Sequence, residues 1–152
     1  DSLVSEMLLI HISFAIMSYA AFSVAFVFSL LYLILYRILK RKKLNNLWSR
    51  LPSLQQMVKW INLSTIIGIP LLLISLILGL EWAFLTLENV SIFDVKILGS
   101  FIVSVIYLII FLLHQRGRLV GTTYAQVHVG LFLLVVINFF LGSKLSNFHL
   151  WV

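Results

Sequence analysis

The sequence predicts an all-α protein: a polytopic membrane bundle of four transmembrane spans, forming one domain with both termini outside. Three observations predict it. The 152-residue chain is 62% hydrophobic and only 11% charged, whereas a soluble domain is roughly half apolar and a quarter charged. Four apolar runs, at about 8–36, 61–84, 97–114 and 124–145, are long enough to cross a bilayer. The charges between them segregate: nine of the eleven Lys and Arg residues fall in the links after the first and third runs, where no acid is found. Soluble, disordered and fibrous classes fail on these counts.

The first run, 8–36, ends in RILKRKKLNNLWSRLPSLQQMVKW, a link holding Arg37, Lys40, Arg41, Lys42, Lys43, Arg50 and Lys59. Such a link stays cytoplasmic, because carrying cations across the bilayer is costly. Pro52 starts a helix within it. Leu47, Trp48, Leu51, Leu54 and Met57 form an apolar stripe that fits either a segment lying on the membrane surface or a solvated linker. The second run, 61–84, contains Gly68 and Pro70; a proline lacks the N–H and crowds the preceding turn, so a kink is expected. The third and fourth runs are joined by a short link with Arg116 and Arg118, again inside. The outer side then receives Asp1, Glu6, Glu81, Glu88 and Asp94, with Lys96 and Lys144 as its cations. Ser18, Ala21, Ala25 and Ser29 in the first span, and Gly68, Ser75 and Gly79 in the second, mark faces where helix backbones approach closely. Asn138, deep in the fourth span, is expected to make an interhelical hydrogen bond.

The net charge of +6 belongs to links flanking apolar spans, so anionic headgroups rather than nucleic acid explain it. The partner it implies is membrane lipid. The chain has no cysteine, which removes disulfides, thiolate ligands and covalent c-type haem attachment to this chain. P-loop, GxGxxG and HExxH patterns do not occur, and no Ser or Thr has His and acid partners at an interpretable spacing. The chain opens DSLVSEML, with neither Met nor a cationic segment, and reads as a processed or truncated start within a longer protein.

Topology sorts the four histidines into an outer pair, His11 and His149, and an inner pair, His114 and His128. The hydrocarbon is about 30 Å thick, and two imidazoles on one metal must each approach it to about 2 Å. An outer and an inner histidine therefore cannot share an ion. For the outer pair, the functional reading is axial ligation of a haem near the outer surface. Trp82, Phe84, Phe93, Phe148 and Trp151 offer porphyrin cover, and Lys96 or Lys144 a partner for a propionate. The structural alternative is a pair of interfacial histidines among belt aromatics. For the inner pair the structural alternative is stronger: His114 snorkels to headgroups, and His128 hydrogen-bonds Tyr124 or a neighbouring helix.

The stretch LLIHISFAIMSYAAFSVAFVFSLLYLILYRILKRKK resembles the histidine helix of the CcsA/ResC-type cytochrome c assembly superfamily, and more closely that of its HemX-type membrane proteins. The resemblance continues through LPSL, the Gly-Ile-Pro kink, LILGLEWAF, Asp94-Val95-Lys96, LGSF and NFFLGSKLSNFHLW. It implies a multi-pass protein of the bacterial cytoplasmic membrane that binds haem b through His11 and His149, with Trp82, Asp94 and Lys96 beside it. It places His114 where a membrane-embedded haem is ligated, with the partner residue in an absent N-terminal half of an eight-span protein. It gives His128 no role. The assembly enzymes carry a long loop of the type WGxxWxWDPKE, of which only Trp82 and Asp94-Val95-Lys96 remain, so haem ligation is expected without cytochrome maturation. The resemblance further implies a non-enzymatic role in regulating haem biosynthesis, lowering the level of glutamyl-tRNA reductase through contact with it or another haem-synthesis protein. The competing readings are a haem-presenting component of cytochrome c assembly and a structural membrane subunit without haem.

Overall fold

The computed structural model describes residues 2–41, 52–86 and 95–145. Its elements are four α-helices, α1 (Ser2–Lys40), α2 (Leu54–Thr86), α3 (Val95–Gln115) and α4 (Gly121–Leu145), all long and apolar enough to cross a membrane. Helices suit this composition because each satisfies its own backbone polar groups inside lipid. α1 and α2 outrun the apolar spans that the sequence marks, extending to residues 2–40 and 54–86. At about 1.5 Å per residue, the 39 residues of α1 reach well beyond a hydrocarbon layer about 30 Å thick.

Local chemistry sets the ends. α2 opens on a capping box: Gln56 N–H donates to Ser53 Oγ (3.2 Å), and Ser53 N–H donates to Gln56 Oε1 (3.1 Å). Pro52 thus precedes the helix, and Ser53 caps it. Met57, placed by the sequence on a surface stripe, is instead fully buried against Tyr32, Leu35 and Ala125. The helical period of α2 already applies there, so Met57 faces the bundle one turn before Ile61. Leu47, Trp48 and Leu51 lie outside the described residues. Pro70 is exposed, and helix continues on both sides of it. α3 ends in a Schellman motif, with Arg118 N–H donating to Leu113 O and Gly117 N–H to His114 O, both at 3.0 Å. Gly117, at φ 75°, takes the left-handed position that this motif requires.

Each helix packs antiparallel against its sequence neighbours, and α4 closes the ring against α1. The α1 face that turns inward carries His11, Ser18, Phe22, Ala25, Ser29, Tyr32 and Leu35, at helical spacing. The small residues expected to mark packing faces do so: Ser18, Ser29 and Ser75 are at most 2% exposed. Ser29 Oγ donates to Ala25 O (2.7 Å) and Ser104 Oγ to Ser100 O (2.9 Å), so these hydroxyls cost little in an apolar interior. Phe22 lies flat against Gly68, where a Cβ would stand 2.8 Å from the ring, and stacks on Tyr107 at 4.1 Å. Around it Ile69, Leu72, Leu76, Val103, Leu131 and Val135 form the central core. Asn138 reaches across the seam, but instead of the expected interhelical hydrogen bond it sets Oδ1 against the Gly99 backbone of α3, where no side chain stands in its way.

Charge divides the bundle lengthwise. Arg37, Lys40, Arg41, Lys59, Arg116 and Arg118 are exposed at one end, and Glu6 and Glu81 at the other. These are called the basic and acidic ends below.

Candidate functional site

His11 lies on α1 toward the acidic end and turns into the bundle, 9% exposed. Its Nδ1 is 2.7 Å from the Ser75 carbonyl oxygen on α2. A carbonyl can only accept, so Nδ1 carries the proton and donates it, and in the neutral ring the lone pair resides on Nε2. Ser75 Oγ in turn donates to the His11 carbonyl at 3.1 Å, and lies 3.1 Å from Nδ1. Side chain and backbone of the two residues are thus reciprocally tied. One turn further along α2, Gly79 gives the ring its room: a Cβ there would be 2.7 Å from His11 Cε1 and 2.9 Å from Nδ1. The ring is wedged into a notch on α2 floored by Ser75 and Gly79.

The notch forms one wall of a cavity of about 160 Å³. All four helices line it: Ala15 and Tyr19 from α1, Leu72 and Leu76 from α2, Ile97 and Ser100 from α3, and Phe139 from α4. The chemistry is an apolar slot with one imidazole, two serines and one tyrosine in its wall. Ligand pockets typically measure roughly 300–1,000 Å³, so the slot holds only part of a drug-sized ligand. Trp82 is 8% exposed and packs with Ala83 and Ile97, the latter a cavity wall residue. Its ring is therefore part of the packing behind the slot. Phe84, by contrast, is 60% exposed.

The other predicted site residues fall as follows. His149 and Asp94 lie outside the described residues, as do Phe93, Phe148 and Trp151, and Lys96 belongs to α3 with its side chain not described. His114 ends α3 at the basic end, where Nδ1–H donates to Leu119 O (2.8 Å) and the ring stacks on Tyr124 at 3.9 Å. It thus shares with His11 a ring anchored through Nδ1 to a backbone carbonyl. His128 does not hydrogen-bond Tyr124. It meets that ring edge-on at 4.7 Å, while the Tyr124 hydroxyl donates to Asn62 Oδ1 on α2. The phenol has only one proton to give, and the α2 amide receives it. Among the described residues, no three His, Asp or Glu side chains gather to hold a metal ion.

Sequence reasoning read Ser75 and Gly79 as packing residues only. Their four-residue spacing was visible, but their pairing with His11 depends on the register of α1 against α2, which no spacing within one helix reveals.

Comparison with known proteins bears on this arrangement. The family model for cytochrome c assembly proteins matches residues 1–149. A HemX protein from Bacillus subtilis (strain 168) is 44% identical over 147 residues, covering 97% of this chain and 53% of the relative. A HemX protein from Brevibacillus brevis is 38% identical over 149 residues, covering 98% and 54%. The chain therefore spans about half the length of these curated relatives. No solved structure matches it. A near-complete family match, on four membrane-length helices, leads to one conclusion: this chain belongs to the cytochrome c assembly protein family, and HemX proteins are among its relatives.

Proposed function

We propose that the chain is the haem-holding part of a HemX-like protein of the bacterial cytoplasmic membrane that takes part in regulating haem biosynthesis. The observation that carries the reading is the His11 ring, fixed through Nδ1 on the wall of an apolar cavity. Metal-ligating histidines characteristically donate their other ring N–H to a carbonyl or carboxylate, which fixes the tautomer and raises ligand basicity. The donor set fits haem b. Neutral imidazole suits iron, the apolar slot suits a porphyrin edge, and the described lining residues include no carboxylate.

In this reading His11 and His149 would hold the haem iron, each through an imidazole nitrogen. Ser75 holds the His11 ring in place, and Ile97, backed by Trp82, closes the slot against water. The iron, when bound, supplies a centre whose ligation reports haem supply. By the charge rule the acidic end faces outward and the basic end the cytosol, so the link after α1 is the surface that meets a cytosolic partner such as glutamyl-tRNA reductase. His114 takes part in a second haem site only with a ligand from beyond this chain.

Visible spectroscopy of the purified chain tests the cofactor. Sharp reduced bands typical of bis-imidazole haem are expected, lost in His11→Ala and in His149→Ala but kept in His128→Ala. Pigment that disappears with His128→Ala alone, or that never forms, rules out the assignment. The regulatory part is tested separately by reductase abundance in cells, which should differ between the wild-type and His11→Ala proteins. Equal abundance removes His11 from the regulation. The family match favours one alternative, a haem-handling role in cytochrome c assembly. That role predicts a loss of c-type cytochromes when the protein is removed, whereas the regulatory reading predicts their retention.

A further inference from the structure

The interior holds a second polar centre, among whose members none lines the His11 cavity. Tyr107 of α3 and His128 of α4 are 0% and 1% exposed. The Tyr107 hydroxyl and both ring nitrogens of His128 have no hydrogen-bond partner among the described residues. Their neighbours do: Tyr124 bonds Asn62, His114 bonds Leu119, and Ser104 bonds Ser100. Neither ring can easily turn away. Tyr107 is stacked on Phe22 at 4.1 Å, and His128 is held edge-on by Tyr124 at 4.7 Å. The two rings are neighbours, with centroids 5.8 Å apart and planes tilted 54°.

Orphaned polar atoms are costly in any interior and more so at membrane depth. Phenylalanine would fill the place of Tyr107 without that cost. The pair is chemically matched to a guest that both donates and accepts. A phenol offers one proton and its lone pairs, and a neutral imidazole offers one N–H and one lone pair. A buried water needs two to four such partners. We propose that Tyr107 and His128 form an internal water site, in which bound water bridges the phenol and the imidazole between α3 and α4. The histidine without a counterpart in the haem reading thereby acquires a structural role, as one half of a hydrated clasp holding α3 to α4.

Thermal unfolding of the whole chain in lipid vesicles tests the proposal through its sign. Removing a hydroxyl that binds water should destabilise the bundle, whereas removing an orphan hydroxyl should stabilise it or change nothing. Tyr107→Phe is therefore expected to lower Tm by several degrees in the wild-type background and to have little effect in His128→Leu. An unchanged or raised Tm for Tyr107→Phe overturns the site. Solid-state NMR of wild-type chain with nitrogen-15 histidine gives a measurement that needs no variant. Magnetisation transfer from water to the His128 ring is expected, and a ring that receives none overturns the proposal even if Tm falls.

Discussion

On the proposed function, Gly79→Val is expected to weaken haem binding by up to about 100-fold while leaving the four helices intact. The ideal Cβ at this position stands 2.7 Å from His11 Cε1 and 3.3 Å from Nε2. These atoms belong to a ring pinned by a 2.7 Å bond to the Ser75 carbonyl, so the ring must swing out and that bond must break. The loss is twofold. The tautomer is no longer fixed, and the ring leaves the place on the cavity wall that it occupies beside Ser75. Removing the support of a metal-ligating histidine weakens binding roughly 10–100-fold, and Gly79→Val also displaces the ligand itself, so the upper part of that range is expected. Gly130 supplies the control: it is exposed, and nothing lies within 4 Å of a Cβ built there. Haem titration of the two purified variants, with circular dichroism to verify helix content, should show Gly130→Val binding as wild type. Equal affinity in Gly79→Val would mean that the notch is packing alone.

The second large effect concerns the α3–α4 seam. A methyl group at Gly99 would overlap Asn138 Oδ1 outright, the most severe conflict at any described glycine. The amide oxygen occupies the space in which a side chain would begin, against the glycine Cα–H, a contact worth a fraction of an ordinary hydrogen bond. Gly99→Ala must therefore expel the amide or separate the helices, at a cost of about 3 kcal/mol for overpacking. Shortening the partner should relieve it. The double variant Gly99→Ala, Asn138→Ala is expected to recover most of the stability, which thermal unfolding in detergent would read directly. A double variant no more stable than Gly99→Ala would show that the glycine is required for some other reason.

The helices were legible because hydropathy and charge carry them. Four apolar runs and two basic links sufficed to give four helices with like charges gathered at the same ends. What hydropathy could not show was where each helix stops. Ser53 and Gln56 cap α2 with hydrogen bonds that an apolar average ignores, and Met57 consequently faces the core. The site was half legible. An imidazole within a span is a functional candidate on cost alone, and His11 proved to sit on a cavity wall. Its supports, Ser75 and Gly79, are 64 and 68 residues away in sequence, and only the packing register joins them to it. His128 illustrates the opposite error. Tyr124 or a neighbouring helix is the partner expected from the sequence, yet the phenol bonds Asn62 across the bundle and neither His128 ring nitrogen is bonded among the described residues.

The two ring-on-glycine contacts between α1 and α2 are evenly matched. His11 and Phe22 are eleven residues apart, as are the glycines that receive them, Gly79 and Gly68. Eleven residues make about three turns, so the hairpin is doweled at two heights on the same flank. A piston stroke of one helix along the other would have to withdraw both pegs at once. Movement in this hairpin is accordingly confined to tilt and twist, and the depth of the imidazole in the bilayer is locked by a phenylalanine that does not line the cavity.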